Sequence, residues 1–152
     1  MSMPPAFSLQ SVLDVRHNRV EALEIELGRL LAMQLNAQNL LAGLCETQKG
    51  LMNQLVEAQQ GEIDLFKIRV LHDDLRVVGE RMETVKEELS RLEMQIEKKR
   101  RDLVAARQEE ETLQILRRKR LEAYQAEQAR VEMAFQDDLY IAQAFRQRYQ
   151  EI

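Results

Sequence analysis

The side chains that most often carry chemistry are scarce in this sequence. It holds two histidines, His17 and His72, and one cysteine, Cys45. The histidines stand far apart, and no Cys-x-x-Cys or His-Glu-x-x-His run accompanies them. A metal site needs several such ligands to converge, so none is expected. Gly61-Glu62-Ile63 leads to no Gly-Lys-Ser or Gly-Lys-Thr, so no loop is built to cradle a phosphate. Carboxylates are plentiful, but they fall on the solvated faces of helical repeats. No catalytic residue and no cofactor is expected. Cys45 sits beside Leu44 and reads as a small, half-buried residue; a lone cysteine excludes an internal disulfide and fits a reducing compartment.

Charge supplies the remaining chemistry. The net charge is −4, which counts against nucleic acid as a partner. The balance is uneven: residues 98–120 hold nine Lys or Arg against four Asp or Glu, and residues 61–97 hold six against ten. Two basic runs stand out, Lys98-Lys99-Arg100-Arg101 and Arg117-Arg118-Lys119-Arg120, with Glu109-Glu110-Glu111 between them. They read either as solvated helix faces or as a basic collar for an acidic protein surface. No aromatic residue interleaves with them, as nucleic-acid contact would favour.

The elements that carry these groups follow from periodicity. Alternating steps of three and four from Ile68 reach Leu113 through fourteen positions, twelve of them apolar. The same stepping from Leu9 to Leu55 gives eleven apolar positions of fourteen. An average spacing of 3.5 residues marks a coiled-coil seam, whose narrow apolar stripe needs a partner helix. Gln59-Gln60-Gly61-Glu62-Ile63-Asp64 separates the two seams: Gly61 suits the left-handed end of a helix and Asp64 suits a cap. The expectation is an all-α fold, a long antiparallel two-helix coiled-coil hairpin forming one domain over residues 1–152. Helix 1 spans about 6–58, the turn about 59–63 and helix 2 about 64–150. With the turn centred on Gly61, residue i faces about 122 minus i. That register puts Gly43 level with Gly79, as coincidence or as a thin waist where a partner approaches, and puts Arg16 within a turn of Glu110.

Composition agrees with long helices: 32% charged residues, 5% aromatic residues and no tryptophan leave little for a thick globular core. After Leu113 the rhythm changes to steps of four, through Arg117 to Leu121, a stutter that locally unwinds a coiled coil. Helix 2 is therefore expected to overhang, with a stripe running through Tyr124, Val131, Phe135 and Phe145 to Ile152. No apolar run is long enough to span a membrane, and Met1-Ser2-Met3-Pro4-Pro5 lacks the regions of a secretory signal, so a cytoplasmic protein is expected.

Several segments together resemble the flagellar FliJ family, small coiled-coil hairpins of the bacterial type III export apparatus. They are Phe7-Ser8-Leu9 followed by Val12, Leu13 and Arg16; Gly61-Glu62-Ile63-Asp64-Leu65 leading into Leu71 and Leu75; and Leu116-Arg117-Arg118, Leu121-Glu122-Ala123-Tyr124, Arg130-Val131-Glu132 and Asp137-Asp138. Tyrosines common late in helix 1 of that family are replaced here by Leu44, Thr47 and Leu51. The resemblance implies a non-enzymatic component of flagellar protein export and motility. Its members act as the central stalk of a hexameric export ATPase, contact a membrane export-gate protein and serve substrate-specific export chaperones. The implied location is cytoplasmic, at the cytoplasmic face of the membrane through the apparatus and without membrane insertion. By resemblance, Leu71, Leu75, Val78 and Met82 form the export-gate face. The overhang and its base, Arg117, Arg118, Lys119, Arg120, Tyr124, Val131, Phe135 and Leu139, form the expected ATPase-ring face. A stalk of a non-flagellar type III system and a structural coiled coil that dimerises through the overhang remain as alternatives.

Overall fold

The structure is a computed structural model, and it describes residues 3–150. Met1, Ser2, Glu151 and Ile152 lie outside the described residues, and with them the last position of the overhang stripe. Two helices make up the fold: α1, Gln10–Ala58, and α2, Leu65–Gln150. They pack against one another as a helical hairpin, with no strand among the described residues.

The turn and the start of α2 have local causes. The connection contains Gly61 at φ +75°, the left-handed conformation that glycine adopts without a Cβ clash. Asp64 then caps α2: its Oδ1 accepts from the backbone N–H groups of Phe66 at 3.0 Å and Lys67 at 3.4 Å, satisfying donors that the helix itself leaves open. At the other end, α1 begins at Gln10, later than the Ala6 start expected from sequence. Pro4 and Pro5 restrict only the residues before them, and Phe7 and Ser8 are held instead by Arg120 of α2. The helix starts only after a turn in which Gln10 N–H donates to the Phe7 carbonyl at 3.0 Å. Residues 3–9 therefore form a non-helical strap.

The described chain packs as two compact units. In Val20–Ala105, one apolar seam joins the helices: Leu30, Ala37 and Leu44 of α1 are buried with Val78, Met82, Val85, Leu92 and Ile96 of α2. Leu27, Leu41, Cys45, Leu51 and Leu89 pack against this cluster half-buried. Lys99, a polar residue on the seam stepping, reaches Glu26 at the seam's edge. In residues 3–19 with 106–150, Leu13 and Ala106 are buried and Leu9 and Leu113 half-buried. Arg16 donates to Glu109 at 2.7 Å, and His17 Nδ1 lies 2.7 Å from Glu110. Glu110 thus meets His17, and Arg16 takes the preceding glutamate.

The cross-helix ion pairs refine the register. Arg16 with Glu109 and Glu26 with Lys99 both follow 125 minus i, three residues from the sequence-based 122. The seam sets this offset, because knobs fit holes only where the two apolar stripes fall into layers. In this register Leu30 comes level with Ile96, and Leu44 with Met82, within one residue. Gly43 and Gly79 no longer share a level, and a Cβ built at either meets no atom within 4 Å. The thin waist is thereby removed as a structural feature.

Gly61→Ala is expected to destabilise the chain by about 1 kcal/mol, the strain of a side chain at positive φ. Gly43→Ala, in an exposed helix interior with open space, is expected to stabilise by about 0.5–1 kcal/mol. Urea unfolding followed by circular dichroism checks both; the same sign for the two variants contradicts this assignment of the turn.

Candidate functional site

At the start of α2, apolar residues serve two different neighbours. Leu71, Val78 and Met82 are buried in the seam, and Leu75 is half-buried. Helical spacing then turns Val70 and Val77 outward, at 41% and 46% exposure, with exposed Asp73 and Asp74 between them in sequence. The seam stepping concealed these two valines, because it scores only residues on the stripe. The outer face of α1 was missed for the same reason: Ile25, Leu35, Leu40 and Val56 are more than half exposed.

At the second basic run, the strap folds along α2. Arg120 Nη1 donates to Ser8 Oγ at 2.7 Å, and its guanidinium lies 5.2 Å from the centroid of the Phe7 ring, a cation–π geometry. Arg117 Nη1 reaches Gln10 Oε1 at 3.4 Å, and the Tyr124 hydroxyl donates to the Met3 carbonyl at 3.2 Å. Arg118 faces away from the strap, with Nε 3.8 Å from Glu122. The run read as a solvated face or a basic collar is divided: Arg117 and Arg120, three residues apart, share the strap side of the helix.

Past this point α2 continues uncovered. Every described residue after Gln128 is exposed, including Val131, Phe135 and Leu139 at 51%, 64% and 48%. Phe145 and Tyr149, one turn apart, meet at a tilt of 48° with centroids 5.2 Å apart. Glu127 accepts two hydrogen bonds from Arg130, at 2.7 and 3.2 Å; these bonds, then the arginine charge, hold its carboxyl below the usual range. Of the sequence-derived ring residues, Arg117, Arg120 and Tyr124 thus contact the strap, and Val131, Phe135 and Leu139 are open to solvent.

Among the described residues no cluster of His, Cys, Asp and Glu is placed to hold a metal ion, and no helix is long and apolar enough to cross a membrane. The profile of the flagellar FliJ protein matches residues 5–149, nearly the whole chain. The chain belongs to the FliJ family. No curated protein and no solved structure matches it. The FliJ family is a structural, non-enzymatic component of flagellar export, and membership makes this chain a component of the flagellar export apparatus that interacts with other parts of it.

Met82→Ala in this FliJ protein is expected to cost about 2–5 kcal/mol, because it opens a hole in the seam. Val77→Gln, on the outer face, should change stability by no more than about 0.5 kcal/mol. Comparable losses for the two variants in urea unfolding would contradict the division of this stretch into seam and surface.

Proposed function

We propose that this FliJ protein is a stalk and adaptor of flagellar export, with the end of α2 docking into the hexameric export ATPase. The observation that carries the reading is the apolar stripe of Val131, Phe135 and Leu139 on a helix that α1 does not cover. Uncovered stripes of this kind usually mark interaction surfaces. At its base stand Arg117, Arg118, Lys119 and Arg120, which supply long-range attraction to an acidic ring and bidentate contacts once docked. In a stalk the protein performs no bond chemistry; it transmits contact between the ring and its surroundings.

The opposite end of α2 supports the adaptor part of the proposal. Leu71, Val78 and Met82 hold the hairpin together, so they present the gate-binding face by fixing the position of their neighbours. Val70 and Val77, seven residues apart on one face of the helix, are the accessible apolar surface for a membrane export-gate protein, and the half-buried Leu75 lies on the other side of the seam. Contact with that gate places the chain at the cytoplasmic face of the membrane, beside the substrate-specific chaperones whose cargo is exported.

Deleting residues 129–150 keeps the seam and the strap contacts while removing the uncovered stripe. The shortened chain is expected to keep its unfolding midpoint within a few degrees and to lose stimulation of the cognate export ATPase. Full stimulation by the shortened chain would contradict the docking role. A full-length chain that is dimeric by light scattering, with a monomeric deletion variant, would assign the stripe to a second copy instead.

A further inference from the structure

The strap and α2 enclose an open cavity of about 450 Å³. Pro4, Pro5, Phe7, Leu121 and Tyr124 give it apolar and aromatic walls, and Arg117 and Arg120 bring two positive charges to the same space. The hydrogen-bond partners of these arginines are neutral: Gln10 Oε1 at 3.4 Å for Arg117 and Ser8 Oγ at 2.7 Å for Arg120. Among the described residues no carboxylate meets either guanidinium. Elsewhere on this helix arginines do find carboxylates, Arg118 with Glu122 and Arg130 with Glu127. A guanidinium carries five N–H donors in a fork that fits a carboxylate, so one bond to a neutral oxygen leaves most of that capacity open. Spacing explains the convergence. Leu121 and Tyr124 follow Arg117 by four and seven residues, so cation and apolar side chains share one helix face.

We propose that this cavity is a binding site for an acidic peptide segment of a partner protein. An aspartate or glutamate takes the Arg117 and Arg120 guanidiniums, and a neighbouring leucine or phenylalanine enters between Phe7, Leu121 and Tyr124. The proposal deepens the docking reading above and rests on it for the partner being a protein. The chemistry favours a carboxylate peptide over a polyanion. A nucleic acid or lipid surface is met by rows of open cations, whereas this cavity is walled by apolar groups in a chain of net charge −4.

The test is a titration of the full-length chain against a fluorescein-labelled peptide, Asp-Glu-Phe-Asp-Leu, read by anisotropy. Saturable binding that weakens as salt is raised is expected. Arg117→Gln and Arg120→Gln should each weaken it about tenfold or more, equivalent to about 1.4 kcal/mol. Arg130→Gln, on the same helix but away from the cavity, should leave it within about twofold, where long-range charge alone is at work. Phe7→Ala should weaken binding without changing the far-ultraviolet circular dichroism, because Phe7 lies outside both helices. Equal binding of Asn-Gln-Phe-Asn-Leu, equal loss in all three arginine variants, or binding only to phosphatidylglycerol vesicles would each overturn the proposal. The export ATPase takes no part in this assay. Absent peptide binding with normal ATPase stimulation removes the cavity proposal alone; intact peptide binding without stimulation removes the stalk reading alone.

Discussion

The structure depends on one apolar seam, a single side chain wide, between two helices. Each residue ordered into a helix costs about 1–2 kcal/mol of backbone entropy, and isolated helices in water are marginal. In Val20–Ala105 the seam residues are what offset that cost: Leu30, Leu44, Leu92 and Ile96 are almost fully buried, while most of the polar residues around them stay in water. Surface ion pairs add little to this. Lys99 with Glu26 and Arg16 with Glu109 are partly exposed, and such pairs are generally worth about 0–1 kcal/mol. They report which residues the seam brings face to face, and the seam holds the helices together.

A seam one stripe wide has a functional consequence. It occupies a narrow stripe along each helix and leaves the rest for other proteins. The exposed Ile25, Leu35 and Leu40 of α1, Val70 and Val77 of α2, and Val131, Phe135 and Leu139 near the end of α2 are among the apolar residues left there. An export component that must meet several partners along its length gains surface by this economy of core. The strap adds a different kind of surface, since it sets proline, phenylalanine and two arginines around one cavity.

The helices and their hairpin pairing were legible in the sequence because a 3.5-residue period has few other physical solutions. Gly61 and Asp64 likewise announced the turn, one through its freedom at positive φ and the other through a short side chain that reaches its own backbone. The register was legible only to within a turn, because it is decided by the interlocking of two stripes and not by the midpoint of the loop. The strap was not legible at all. Proline at a helix start is compatible with either outcome, and the contacts that hold Met3 to Ser8 come from Arg120 and Tyr124, more than a hundred residues away. For the site, the same stepping that found Leu71, Val78 and Met82 could not tell a seam residue from a partner contact. Periodicity reports that a residue is covered, but not by what.

Hydrogen exchange on the isolated chain, read segment by segment and repeated with the export ATPase, tests most directly whether the seam holds the hairpin and leaves the end of α2 open. The account predicts slow exchange for the seam amides from Leu71 to Ala106. It predicts fast exchange for residues 129–150, a lone stretch of helix with no packing face, and new protection there once the ATPase is added. Equal protection of the two stretches in the isolated chain, or no change in residues 129–150 on adding the ATPase, would contradict it.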